Sequence, residues 1–235
     1  QVNNSYLPLI INKWHDYLTQ FGLDQRFNND VFEGNKGKIP TALTYLKMYG
    51  PYRLGAWKVA NTVSNGIGQG EVTETPLQMA NCVAAIANRG YWIKPHIVKK
   101  IKGQKIDKKF TTKHLTTIYR KYYKPVIEGL FDVYNKGTAY HLKVEGIDIC
   151  GKTGTAENYT KVYGKRVKLK DHSIFVAFAP KDNPKIALAV FVENGGFGAT
   201  IAGPIASLMI EKYLKGKITR KDLETRTLSR SLMAE

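Results

Sequence analysis

Gly146-Ile147-Asp148-Ile149-Cys150-Gly151-Lys152-Thr153-Gly154-Thr155-Ala156-Glu157-Asn158 is the most chemically loaded stretch of the chain. Read from Gly146, it satisfies the phosphate-loop pattern G-x-x-x-x-G-K-[ST] letter for letter. A phosphate loop, however, wraps backbone N–H groups around an anion and enters a helix at its Lys-Thr. Here Ile147, Asp148, Ile149 and Cys150 alternate as a strand does. Past Thr153 the chain is polar and basic through Tyr163 and Lys170, with no apolar helical stripe. The nucleotide reading fails on context, and the stretch is read as a strand.

Toward the C-terminus the apolar period is two. His172–Pro180 and Lys185–Glu193 are β-branched apolar runs separated by Lys181-Asp182-Asn183-Pro184, which predicts two antiparallel strands joined by a short turn. A final helix over about Thr200–Leu214 presents Ile201, Ile205, Leu208, Met209 and Tyr213. On the N-terminal side the period is helical. Pro125–Lys136 should point Val126, Leu130 and Val133 inward and stop at Gly137. Thr75-Pro76 opens the clearest helix, with Thr75 as cap, Pro76 in the first turn and Gly90 as terminator. Leu7, Ile10, Ile11, Trp14, Leu18 and Phe21 predict a first amphipathic helix ending at Gly22. The Gly-, Pro- and Tyr-rich stretch Gly34–Gly70 reads as connections around a short helix near Pro40–Met48. Helices followed by an antiparallel meander and a closing helix indicate an α+β fold.

The chain has 235 residues, 43% hydrophobic, enough for a real core. Its longest apolar runs are far short of the roughly 20 residues of a membrane span. Cys82 and Cys150 cannot make a disulfide framework, and no Cys/His spacing suits zinc. With 36 Lys+Arg against 19 Asp+Glu the formal charge is +17. The cations gather in Lys99–Lys113, Lys161–Lys170 and Lys212–Arg230, which read as solvated loops, hairpins or tails, with an anionic lipid surface or cell-wall polymer as the alternative. Nothing resembles a zinc finger or an RNA-recognition sheet, so nucleic acid is not expected as a partner.

On a strand beside a serine nucleophile, the Lys152 ammonium can assist proton transfer. A Thr hydroxyl can bind an acyl donor's carboxylate, and Gly154 leaves room for substrate against the backbone. Lys152-Thr153-Gly154 is the Lys-Thr-Gly triplet of serine acyltransferases. Its surroundings carry the rest of the resemblance. These are Thr155-Ala156-Glu157, Gly129 with Lys136-Gly137-Thr138-Ala139, Asp171-His172-Ser173 with Phe178-Ala179-Pro180, and Gly66-Ile67-Gly68-Gln69-Gly70-Glu71 leading into Thr75-Pro76-Leu77-Gln78-Met79-Ala80. With Ala87-Asn88-Arg89-Gly90 and Pro95-His96-Ile97-Val98, the chain resembles the transpeptidase domain of elongation-type class B penicillin-binding proteins from about residue 10 to residue 215.

The resemblance implies a partial penicillin-binding, serine β-lactamase-like transpeptidase fold, an antiparallel sheet flanked by helices. Residues 1–216 would be the C-terminal portion of that domain, helical to about 140 and sheet plus closing helix from 141, with 217–235 a basic tail. The implied activity is D,D-transpeptidation of peptidoglycan stem peptides through a serine acyl-enzyme, which β-lactam antibiotics also acylate. No metal or organic cofactor is implied. The implied setting is the extracytoplasmic, periplasmic face of the cytoplasmic membrane, anchored by a segment outside this sequence, among elongation-machinery proteins. A non-catalytic sensor or scaffold that binds penicillin is the rival reading.

The family also uses Ser-x-x-Lys, whose serine is the nucleophile, and Ser-x-Asn. The six serines here, at positions 5, 64, 173, 207, 229 and 231, match neither. The expectation is that both motifs precede residue 1, that the nucleophile belongs to a companion chain or a missing N-terminal half, and that this chain alone is inactive and poorly stable.

The resemblance assigns Lys152, Thr153 and Gly154 to catalysis and Thr153 and Thr155 to the donor's terminal carboxylate. A backbone N–H, that of Thr155, would serve the oxyanion hole. Gln69 and Glu71 would brace the loop that approaches the cleft, and Gly195-Gly196-Phe197-Gly198 would be a mobile turn near the cleft entrance. Asp171, His172 and Ser173 are adjacent on a strand and alternate faces, so they cannot converge as a triad. Ser64-Asn65 is read as structural.

Overall fold

The first helix, α1 (Leu7–Thr19), carries Pro8 in its opening turn, where a missing N–H costs nothing, and buries Leu7 and Ile11. Ile10, expected in the same stripe, is exposed. A computed structural model describes residues 6–30, 34–50, 57 and 59–230. Parts of the expected connection Gly34–Gly70 (51–56 and 58) and of the expected tail (231–235) lie outside the described residues.

The chain divides into two units, Gln1–Gln78 with Tyr91–Thr117, and Met79–Gly90 with Ile118–Glu235. In the first, α2 (Ala42–Tyr49) starts with a reciprocal cap between Thr41 and Thr44. Its leading N–H, on Ala42, donates to Asn12 Oδ1 of α1 at 2.9 Å. Leu7, Ile11, Ala42, Tyr45 and Trp57 form the core there, with the Tyr45 and Trp57 rings stacked 4.8 Å apart. A short α3 (Val59–Val63) runs into a 3-10 turn over Ser64–Ile67. Two three-residue strands, β1 (Tyr91–Ile93) and β2 (Lys113–Leu115), pair antiparallel at the ends of the basic segment 94–112. Trp92 anchors them, stacking on His114 and donating its indole N–H to Gln20 O.

The division falls within α4 (Pro76–Ala87), after its first turn. The N-terminus of this helix is a capping box: Gln78 N donates to Thr75 Oγ1 and Thr75 N to Gln78 Oε1. The helix ends as expected near Gly90, but the left-handed residue at its end is Arg89, at φ +57°. Gly90 N donates to Ala85 O and Arg89 N to Ile86 O, a Schellman motif.

In the second unit, α5 (Tyr123–Asn135) buries Tyr123, Ile127 and Tyr134. Val126, expected inward, faces solvent because the helix begins two residues before Pro125 and its buried row falls on 123, 127 and 134. The expected strand at 147–150 is reached only at its last residue: Val144 and Ile147 bridge across a turn in which Gly146 has φ +72°. The sheet begins at β3 (Cys150–Ala156). A separate hairpin comes next, β4 (Tyr159–Val162) and β5 (Lys165–Lys168), then β6 (His172–Ala179) and β7 (Ile186–Val192). The main sheet is antiparallel in the order β3-β6-β7. No residue of central β6 is exposed, as its unbroken apolar run requires.

The core of this unit joins Tyr134, Phe175, Ala177, Leu188 and Val190 to Ala202, Ala206 and Ile210 of α6 (Ala202–Lys215). The expected tail contains α7 (Lys221–Leu228). It is held by Arg220, which donates to Glu211 Oε2, Ser207 Oγ and Leu142 O. Among the described residues no helix is long and apolar enough to cross a membrane.

Candidate active site

Strand β3 is an edge of the main sheet among the described residues, and its side chains explain how it sits there. Gly151 is obligatory: a Cβ would fall 2.8 Å from the Phe175 ring, 2.9 Å from Val176 O and 3.1 Å from the Tyr134 ring. That absence lets α5 lie close against β3. Cys150 is fully buried and donates to Ile127 O, and burial pushes its thiol up to about 12, so it is no nucleophile.

Lys152, Thr153, Gly154 and Thr155 run in succession along this edge, paired with Val176, Phe175, Ile174 and Ser173 of β6. Strand alternation puts Thr153 and Thr155 on one face and Lys152 and Gly154 on the other. The exposed Lys152 folds back, Nζ donating to Thr153 O at 3.0 Å, which brings its ammonium alongside the strand's backbone. Thr153 Oγ1 lies 3.4 Å from Thr138 Oγ1. Thr138 was not singled out by sequence. It comes after Gly137, where a Cβ would strike Val133 Cα, so the chain can turn tightly off α5 and deliver a second hydroxyl to the first. Its place in Lys136-Gly137-Thr138-Ala139 was the only signal.

Thr155 Oγ1 accepts from Gly198 N at 3.4 Å. The loop 195–198 is tied down: Ser173 Oγ donates to Phe197 O and accepts from Ala202 N, linking β6, the loop and the start of α6. Ser173 is thereby structural and wholly buried. His172 accepts from Asn194 N through Nδ1, and Asp171 lies 3.9 Å from Lys168. None of the three converges on another, in keeping with the strand argument.

Glu71 and Gln69 belong to the first unit. Tyr45 Oη donates to Glu71 Oε2 at 2.7 Å and accepts from Asn65 Nδ2 at 2.6 Å, while Gln69 N donates to Ser64 O. Burial, then the Glu71 hydrogen bond, push the Tyr45 phenol up to about 12, so it remains a donor. Asn65 is spent inside this network, which makes Ser64-Asn65 a piece of loop architecture. Among the described residues no three His, Cys, Asp or Glu side chains gather as a metal would require.

An edge strand reading Lys-Thr-Gly-Thr, closed by a glycine loop and backed by α5, with α6 against the other two strands of its sheet, defines a class. The chain belongs to the penicillin binding protein transpeptidase domain family, whose pattern matches residues 6–211. Within it, the chain is 31% identical over 224 residues to peptidoglycan D,D-transpeptidase MrdA of Acinetobacter baumannii, covering 90% of this chain and 32% of that protein. It thus spans about a third of the length of such relatives. The crystal structure of Pseudomonas aeruginosa PBP2 in complex with WCK 5153 is similar with a TM-score of 0.72 at 31% identity, over 90% of this chain and 44% of that one. PBP2 of Helicobacter pylori, solved in complex with MreC, is similar at 0.66 and 28% identity, over 88% and 36%. The mixed helical and antiparallel architecture expected from sequence is that of these domains.

Proposed function

We propose that this chain supplies the Lys-Thr-Gly wall of a peptidoglycan D,D-transpeptidase of the elongation type. The observation that carries the reading is the edge strand itself, with an ammonium and two hydroxyls within four consecutive residues and Thr138 beside Thr153. A stem peptide laid along β3 would present its terminal carboxylate to Thr153 and Thr155. A serine Oγ would attack the penultimate D-alanine carbonyl, its proton passing by way of a general base to the departing D-alanine amine. Lys152 would keep that base–serine pair in a positive field. Antiparallel strands send the N–H and C=O of alternate residues to the same side. The Thr153 carbonyl reached by Lys152 and the Thr155 N–H therefore share a side, the one suited to an oxyanion. An acceptor amine would then resolve the ester, and a β-lactam would acylate the same serine.

None of the chain's serines stands in Ser-x-x-Lys, so the reading requires a nucleophile from a polypeptide or segment outside this sequence. Gln69 and Glu71 are assigned a bracing role only, through the Tyr45–Asn65 network. An elongation-machinery partner and an extracytoplasmic setting belong to the same reading. The test is the denatured intact-mass spectrum of the native material before and after penicillin. The expected result is a drug adduct on a polypeptide that copurifies with this chain, or on a longer form of it. A full set of spectra with no adduct anywhere overturns the reading.

A further inference from the structure

The hairpin between β3 and β6 is unlike the rest of the second unit. Lys161, Lys165, Arg166, Lys168 and Lys170 stand within ten residues that contain no acid. Every residue of β5 is exposed. Among the described residues only Lys168 of these five approaches a carboxylate, that of Asp171 at 3.9 Å. A solvated hairpin needs polar residues, but it does not need five like charges that repel one another.

Its tip is stranger still. Tyr163 and Gly164 form the two-residue turn with φ +48° and +77°, the I′ arrangement in which Asn-Gly is favoured. A bulky side chain at positive φ is strained, and this one is fully exposed, so its ring returns no packing in exchange. Arg166 is stacked over the Tyr159 ring at 3.6 Å, which displays an aromatic face and a guanidinium together on one side of the hairpin.

The base is anchored where the candidate site is. Leu169 N donates to Asn158 O, and Asn158 Nδ2 donates to Asn194 Oδ1, beside the loop that packs on β3. There Lys168, Lys170 and Arg230 line a recess of about 410 Å³ with Phe197 and Thr200, and Asp171 is its one acidic residue. The cationic strip thus runs outward from the end of the edge strand, the hairpin starting after only two residues, Glu157 and Asn158, past Ala156.

We infer that the β4–β5 hairpin and the recess at its base dock the carboxylate-bearing sugar–peptide strands of the cell wall beside the edge strand, an inference that rests on the proposed transpeptidase function. Lys161 on β4 and Lys165, Arg166 and Lys168 on β5 suit the repeated carboxylates of stem peptides, and Tyr163 suits the apolar face of a sugar ring. The charge complementarity is general, but the juxtaposition of aromatic tip, cationic strip and substrate strand is specific to a polymer that carries both sugars and acids.

The test is co-sedimentation of the native protein that contains this chain, with any copurifying polypeptide, with insoluble peptidoglycan at physiological salt. Neutralising three cations (Lys165→Gln, Arg166→Gln and Lys168→Gln together) should weaken retention at least about tenfold. Tyr163→Asn, which suits the turn better and keeps the fold, should weaken it several-fold. Amidating the carboxylates of the peptidoglycan should abolish retention, whereas Lys99→Gln with Lys100→Gln and Lys102→Gln in the other unit should leave it unchanged. Equal loss with those control lysines, undiminished binding to amidated material, or tighter binding to phosphatidylglycerol vesicles or duplex DNA would overturn the inference. Penicillin acylation is read separately. Acylation without hairpin-dependent retention removes this inference alone, and hairpin-dependent retention without acylation removes the reading beneath it.

Discussion

Gly198 lies directly on the backbone of Gly154. A Cβ at position 198 would fall inside contact distance of both the Gly154 and Ile174 carbonyl oxygens, with no flexible side chain to move aside. Two strands and a loop therefore meet through bare backbone, and the Gly198 N–H reaches Thr155 Oγ1 because nothing stands between them.

Gly198→Ala should accordingly push the loop off β3. The expected cost is about 1–3 kcal/mol of stability, as for other overpacked sites. Denaturant melts of the purified chain check the stability. A larger proportional loss in penicillin acylation of the assembled protein would show that Thr155 has lost its position as well.

Lys152→Met should leave the melt unchanged, since the side chain is exposed, and slow penicillin acylation by about 10²–10⁴-fold. Stopped mixing with a fluorescent penicillin reads the rate. An unaltered rate would show that proton transfer at the serine does not depend on this strand.

Arg220→Ala should be among the most damaging single changes in the second unit. Glu211 is fully buried and accepts from Thr219 and Arg220. Burial alone would raise its carboxyl, but the Thr219 side-chain and backbone hydrogen bonds and the Arg220 guanidinium outweigh it and hold it below the ordinary 4.5. Stripping the arginine away leaves a charge with too few partners, at about 3 kcal/mol. The pH dependence has a definite sign. With the folded value depressed, this stability is present above about pH 4.5 and is lost as pH falls through the folded value. Glu211→Gln should flatten the acid limb of the melting curve.

Glu74 should behave in the opposite sense. Both its oxygens are buried, and burial, then the Asp24 carboxylate, push it up to about 7, against partial relief from the Asp24 backbone N–H. Asp24 itself accepts from Lys36 Nζ at 2.8 Å and lies 3.2 Å from His15 Nε2. With the folded value raised, the protonated form favours the fold. That contribution is complete below about pH 4.5 and disappears as pH rises through about 7. Glu74→Gln should raise the melting temperature at pH 8 and change it little at pH 4.5. Equal shifts at both values would exclude a buried titrating carboxyl.

Strands β6 and β7 were legible because an apolar run bounded by Asn183-Pro184 has few other solutions, and α4 because Thr75 and Gln78 write both halves of a cap. The start of β3 lies later than the alternation implies, because Ile147 and Ile149 flank Asp148 as they would in a strand while Ile147 bridges back to Val144 across the Gly146 turn. Strands β1 and β2 are three residues each and gain their stability from Trp92, a contact that spacing does not encode. The same holds for α7, whose composition is that of a solvated tail and which is anchored by Arg220 and by Leu223 against the core. In the site, Lys152 to Thr155 could be read because they are contiguous. Thr138 could not, since its hydroxyl meets Thr153 only after α5 has packed on Gly151.

The family pattern is matched through residue 211, and the hydrogen bonds of the last matched residue reach beyond it. A boundary drawn at the last aligned position would cut the polypeptide at the very carboxylate whose partners lie eight and nine residues further on. Any excised form of this unit, whether made by a protease or by an experimenter, must keep the chain through Arg220 or bury an orphaned charge. The matched span and the self-sufficient unit thus end at different residues, and the second is set by where the last buried ion finds its counterion.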